Sequence, residues 1–175
     1  MIQKIVGIKN PKLRAKSNSI KKVDKKVQEI IADLKQTLKA QSDPEGVGLA
    51  APQIGKNIRV FLINYNGIEH VVINPQILSI SSINLGAKSK SANSVLEGCL
   101  SLPHFYGPIK RAKKLTLKYI TENGEEVTRE FKGFLAHIIQ HEVDHLNGIL
   151  FIDRVLEQKA PLYKFSGENY EEVEI

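Results

Sequence analysis

Residues 141–145 read His141-Glu142-Val143-Asp144-His145, and apolar residues flank them at helical spacing. Phe131, Phe134, Leu135, Ile138 and Ile139 come before, and Leu146 and Ile149 come after. The spacing predicts a helix over roughly 132–147, stopped by Gly148. A helix so rich in apolar residues must be largely buried, and two histidines and a glutamate buried with it need partners. The rest of the chain therefore has to wrap a core around a polar stripe and supply those partners. On a helix, i and i+4 share a face, so both imidazoles can reach one cation. Glu142 adjoins that face and can touch a metal-bound water without being a ligand. This is the H-E-x-x-H pattern of metal-dependent hydrolases. Two surface histidines on an amphipathic helix would give the same letters, but the apolar flanks argue against exposure.

A catalytic site of this type takes three protein ligands and keeps one position open for water. The histidine that metzincins place further along is absent, because Phe151 stands there. Glu157, the first downstream glutamate, falls beyond the helix beside a polar tail. The remaining soft candidate is Cys99, in Glu97-Gly98-Cys99-Leu100-Ser101. It is the only cysteine, so no internal disulfide is possible. A lone cysteine can be a small buried hydrophobe, or a nucleophile paired with His141. Beside a metal-loaded histidine pair, however, its thiolate would be captured by the ion.

The rest of the chain reads as one α+β domain over residues 1–175, mostly antiparallel sheet around the buried metal-binding helix, with an amphipathic helix near the N-terminus. Ile20, Val23, Val27, Ile30, Ile31, Leu34 and Leu38 make a stripe of period 3.6. It predicts that helix over roughly 20–40, with Ser19 as N-cap and Asp43-Pro44-Glu45-Gly46 as its breaker. Ile58–Tyr65 and Val71–Ile80 read as strands joined at Asn66-Gly67; Leu115–Thr121 and Glu126–Phe131 form a second hairpin at Asn123-Gly124. Residues 81–94 read as a loop, and 156–175 as a variable polar tail, with Leu162–Phe165 and Glu171–Ile175 as candidate edge strands. Gly46-Val47-Gly48-Leu49-Ala50-Ala51-Pro52-Gln53, taken alone, reads as a tight loop and matches no phosphate-binding motif.

The net charge of +6 is scattered. Lys21, Lys22, Lys25 and Lys26 in one group, and Lys110, Arg111, Lys113 and Lys114 in another, read as solvated faces. Too few aromatics interleave with them for a specific nucleic-acid site. A surface facing the ribosome stays open as a reading. No apolar run approaches the ~20 residues of a membrane span, and Met1 to Gly7 have neither the apolar stretch of a secretory signal nor Arg/Ser-rich transit character. With an unpaired cysteine, this predicts a cytoplasmic protein.

Together and in this order, Gly46–Gln53 (G-x-G-x-A-A-x-Q), Glu97–Ser101 (E-G-C-x-S) and Gln140–His145 (Q-H-E-x-D-H) resemble the bacterial peptide deformylase family. The resemblance also takes in the leading helix, Ile73-Asn74-Pro75 and Gly148-Ile149-Leu150-Phe151, and so most of residues 1–155. It implies an enzyme that removes the formyl group from N-formyl-methionine on nascent chains. Metal-bound water would attack the formyl carbon, with Glu142 as general acid and base. By the same resemblance Cys99, His141 and His145 are metal ligands. Gln53 would be the side-chain oxyanion donor, and Leu100 the backbone one. The implied cofactor is one divalent ion, natively Fe2+, with Zn2+, Ni2+ or Co2+ able to replace it.

Gly46, Val47, Gly48 and Ile138 are the expected substrate contacts, the glycines allowing a close backbone approach. Arg111 is a candidate partner of Glu97 or Asp144. His70 and His137 read as packed or surface residues, and the roles of His104 and Tyr106 stay open. The competing reading is a related metallohydrolase, a peptidase or a lysine deacylase on the same scaffold.

Overall fold

The computed structural model describes residues 1–83 and 95–174, so most of the loop expected over 81–94 lies outside the described residues. Two antiparallel sheets and three helices build an α+β fold. The larger sheet starts from β2 (Val60–Tyr65), an apolar run whose side chains alternate between the two faces. Val60 and Leu62 point to one core, and Phe61 and Ile63 to another. Burial on both faces explains why the strand is continuously apolar rather than alternating.

β2 pairs with β3 (Ile68–Ile80) through a two-residue turn in which Asn66 and Gly67 have φ of 52° and 73°. Two left-handed residues in succession are what a tight hairpin of this hand requires. β6 (Lys114–Ile120) and β7 (Glu126–Lys132) form the second expected hairpin, and β1 (Gly48–Ala50) closes the other edge. The sheet order is β1-β2-β3-β6-β7.

Helix α1 (Lys25–Lys39) covers one face, burying Val27, Ile31, Leu34 and Leu38 against Leu49, Leu62 and Ile73. It starts later than the stripe suggests, and its N-cap is Asp24 rather than Ser19: Asp24 Oδ1 accepts the Val27 N–H at 3.0 Å. Ile20 is held outside the helix because the Asn74 amide bonds both its N–H, at 2.9 Å, and its carbonyl, at 2.7 Å. Ile20 and Val23 still pack on the same core, which is why they fall on the stripe.

Helix α2 (Gly133–Leu146) covers the opposite face. Its Ala136, Ile138, Ile139 and Leu146 pack against Phe61, Ile63, Val72 and Leu117. It ends at Gly148 (φ 75°), with the Ile149 N–H bonded to the Asp144 carbonyl at 2.9 Å.

The smaller sheet, in the order β4-β5-β8-β9, consists of β4 (Glu97–Cys99), β5 (Leu102–Gly107), β8 (Leu162–Phe165) and β9 (Tyr170–Val173). One feature departs from the sequence reading. Helix α3 (Phe151–Gln158) occupies the start of the supposed tail, capped where Asp153 Oδ2 accepts the Leu150 N–H at 2.8 Å. The two candidate edge strands do form, as a hairpin of β8 and β9 paired to β5, with Leu162 buried beside Phe151, Val155 and Ile109. Eight residues with two buried side chains leave too short a period to read as a helix. Among the described residues, no helix is long and apolar enough to cross a membrane.

Candidate metal centre

The last residue of β4 faces the middle of α2. Cys99 Sγ and one ring nitrogen each of His141 and His145 lie within 4.8 Å of one another, and all three residues are buried. Sγ is 3.2 Å from His145 Nε2. The other end of His141 is fixed, since its Nδ1 stands 2.8 Å from Glu97 Oε1. That contact leaves Nε2 to face the cluster and sets the ring's orientation. Burial alone would raise the Cys99 thiol, but the His145 and His141 rings beside it carry it well below its ordinary value. Burial would likewise lower His141, yet Glu97 and Cys99 raise it well above the usual histidine range. A thiol and two imidazole rings, buried together, are the donor set of a borderline-soft divalent ion.

Glu142 stands beside the cluster. It is 3% exposed, and burial pushes its carboxyl up to about 7. Its Oε2 is buried with no hydrogen-bond partner among the described residues. An oxygen in that condition fits a site that admits a further polar group. Gly48 on β1 makes the room: a Cβ there would stand 2.9 Å from Glu142 Cδ and 3.1 Å from Ile138 Cγ2.

Gln53 lies in a 3-10 turn, Ala51–Ile54, directly after β1. The Ala50 N–H donates to its Oε1 at 2.9 Å, so its Nε2 is turned inward, 3.6 Å from Cys99 Sγ and 3.3 Å from Ser101 Oγ. Leu100 sits at the tight link between β4 and β5 and packs toward Gly46 and α1. Gly46, Val47, Gly48, Leu100 and Ile138 all line one cleft of about 230 Å³, together with Cys99, His141 and Glu142.

Arg111 is buried, not part of a solvated basic face. It donates from Nε and Nη2 to the two Glu97 oxygens, at 2.6 and 2.7 Å, and from Nη1 to Asp144 at 2.8 Å. Both partners suggested by the sequence are thus engaged at once. The fork is why Glu97 ionises far below its usual range: burial opposes the charge, but Arg111, His141 and His137 outweigh it.

Near the site, Arg154 escapes the sequence reading, which takes His137 only as packed or surface and leaves the role of Tyr106 open. Arg154 on α3 forks onto Asp144 at 2.6 and 2.9 Å, and only the unforeseen helix brings it there. His137, one turn before His141, lines the cleft and meets Glu97; its i−4 spacing from His141 was the available signal. Tyr106, also in the cleft, lies over Gly98 and meets Tyr170 edge-on at 5.6 Å. His104 lines the cleft too, whereas His70 packs edge-on against Phe131 at 5.8 Å. Glu157 is an exposed partner of Arg154.

The fold and the cluster define the class: an α+β protein with a buried Cys–His–His group able to hold a metal ion, at the floor of a small cleft. Comparison with known proteins narrows it. Residues 2–161 match the family model described as polypeptide deformylase. A peptide deformylase from Pseudothermotoga lettingae is 40% identical over 155 residues, covering 89% of this chain and 84% of that one. One from Dictyoglomus thermophilum is 38% identical over 158 residues, covering 90% and 95%. The crystal structure of peptide deformylase from Thermotoga maritima superposes with a TM-score of 0.77 at 35% identity, covering 88% and 97% of the two chains. A peptide deformylase from Synechococcus elongatus, solved in complex with actinonin, gives 0.76 at 33% identity, covering 89% and 81%. The chain belongs to the polypeptide deformylase family, and it is an enzyme.

Proposed function

We propose that Cys99, His141 and His145 hold one divalent metal ion, natively ferrous iron, and that residues 1–175 act as one catalytic unit around it. The reaction is the family's: removal of the formyl group from N-formyl-methionine at the N-terminus of a polypeptide, with release of formate. A divalent ion in such a donor set supplies Lewis acidity, lowering the pKa of water from 15.7 toward ~7. The observation that carries the reading is Glu142, whose Oε2 is buried, with no hydrogen-bond partner among the described residues, beside three converging ligand atoms.

In this reading Glu142 accepts a proton from the water that attacks the formyl carbon, and returns it to the leaving amine nitrogen. A carboxyl raised to about 7 suits both halves of that exchange near neutral pH. Negative charge develops on the formyl oxygen. The Gln53 Nε2, fixed by the Ala50 N–H on the far side of the amide, and the Leu100 N–H are the donors that meet it. One such donor is worth about 3 kcal/mol in the transition state. Ile138, Val47 and the glycines at 46 and 48 form the substrate wall. The close approach of Gly48 to Glu142 leaves room for a formyl hydrogen where a larger acyl group would clash. The cleft edge at β1 offers backbone for an extended peptide to pair with. In this reading the substrates are nascent chains, met in the cytoplasm with transient proximity to the ribosome.

The test is formate release from formyl-Met-Ala-Ser by protein loaded anoxically with Fe2+, or with Ni2+ or Co2+. A folded, metal-loaded sample that released none would overturn the reading. N-acetylated, acetyl-lysine and unblocked peptides, run in parallel, separate it from a deacylase or peptidase on this scaffold.

A further inference from the structure

Each oxygen of Glu97 takes one bond from Arg111 and stands beside a histidine of α2: Oε1 is hydrogen-bonded to His141, and Oε2 is in close ion-pair contact with His137. Oε1 meets His141 Nδ1 at 2.8 Å, and Oε2 meets His137 Nε2 at 2.6 Å. The two histidines are one helical turn apart, so a single carboxylate spans them. His141 turns toward the ligand cluster, while His137 lines the cleft, with 14% of its side chain exposed and its ring beside Phe134 at 6.0 Å. Its Nε2 is buried and makes no well-aligned hydrogen bond among the described residues; the polar atom closest to hand is Glu97 Oε2, 2.6 Å away.

We propose that His137 is a positioning residue: together with Arg111 it clamps the Glu97 carboxylate that aims His141 at the metal. With Arg111 alone, Oε2 would keep one partner of two, and the carboxylate could rock about the guanidinium. The Nδ1 contact that orients His141 would loosen with it. Partners that hold a ligating histidine in this way are worth tenfold or more in metal affinity. The inference rests on the ligand set proposed above and adds a residue on the cleft wall to the machinery that holds the ion.

The experiment strips the metal from the full chain and titrates Co2+ anoxically, following the thiolate-to-cobalt absorption band. His137→Phe keeps a ring of similar size and loses the nitrogen; His137→Gln keeps an N–H. The expected result is roughly tenfold weaker Co2+ binding in H137F. H137Q should stay within about threefold of the unaltered chain, with similar melting temperatures for the stripped proteins. If H137F binds Co2+ like the unaltered chain, or H137Q loses as much as H137F, His137 only fills space and the proposal falls. If H137F does not fold, His137→Leu decides by the same criterion. Failure of the unaltered chain to bind Co2+ would instead overturn the ligand set itself.

Discussion

Gly48 on β1 and Glu142 on α2 are in contact across the site, with no room for even a methyl group between them. A Cβ at position 48 would stand 2.9 Å from the Glu142 carboxyl carbon and nearer still to its Oε1. Gly48→Ala must therefore displace the carboxylate, because β1 is hydrogen-bonded to β2 and α2 is packed into the core. A misplacement of about 1 Å at a reacting group can cost ~100-fold in rate. We expect G48A to fold and to bind metal, and its kcat for formyl-Met-Ala-Ser to fall by about that factor. Unchanged turnover would show that Glu142 is not the group the glycine makes room for.

Removing the carboxylate asks the complementary question. Glu142→Gln keeps the shape and loses the proton exchange, so kcat should drop by at least ~100-fold, the lower end for general acid–base catalysis. Metal content, measured by elemental analysis, should match that of the unaltered chain, because Glu142 is not among the three converging ligand atoms. Loss of the ion in E142Q would make Glu142 a ligand instead.

Two buried carboxyls with opposite shifts give the metal-free chain a characteristic acid profile. Glu97 is held well below its ordinary value in the fold. Its contribution to stability is complete above the unfolded pKa, about 4.3, and disappears as pH falls through the folded value. Glu142 behaves the other way: raised to about 7 by burial, it is protonated in the fold where the unfolded chain is ionised. Its effect on stability is nil below about 4.3 and grows unfavourable as pH rises toward 7, reaching about 3 kcal/mol at 1.36 kcal/mol per pH unit. Urea unfolding of stripped protein from pH 3 to 8 should show this fall between 4.3 and 7, and E142Q should abolish it.

The Arg111 fork is a separate matter of stability. Arg111→Met leaves Glu97 and Asp144 buried without the guanidinium. Breaking a buried pair from one side costs roughly 3–5 kcal/mol. For a chain of this size that is about 10 °C in melting temperature, readable by calorimetry. A shift below about 2 °C would mean that His137, His141 and Arg154 suffice to hold the two carboxylates.

The elements that the sequence made legible are those whose side chains repeat. The α1 stripe, the H-E-x-x-H helix and the two Asn-Gly hairpins all carry a period or a turn residue that only one local structure satisfies. The first turn of α1 was misplaced because tertiary bonds from Asn74 to Ile20 decide where helical geometry begins. β4, β5 and α3 are too short to show a period, and they owe their existence to contacts with one another. The site shows the same division. Motif spacing nominated the two histidines of the cluster, whereas Arg154 reaches Asp144 from another element, and no spacing rule connects residues across elements.

The lone cysteine sets the last prediction. In the stripped chain, despite burial, His145 and His141 beside Cys99 hold its thiol well below the ordinary value, which favours the thiolate, the form that attacks peroxide. An ion bound through that sulfur occupies the lone pairs the oxidant needs. Peroxide treatment of stripped protein should therefore add oxygen to Cys99, detected by peptide mass spectrometry. It should also abolish reactivation by Co2+, because sulfinic and sulfonic acids are not reduced back by thiols. Protein loaded with redox-inert Zn2+ during the same treatment should keep its thiolate. After exchange into Co2+ it should recover its formate release. Full reactivation of a chain whose Cys99 is demonstrably oxidised would remove the sulfur from the ligand set and leave the two histidines to hold the ion alone.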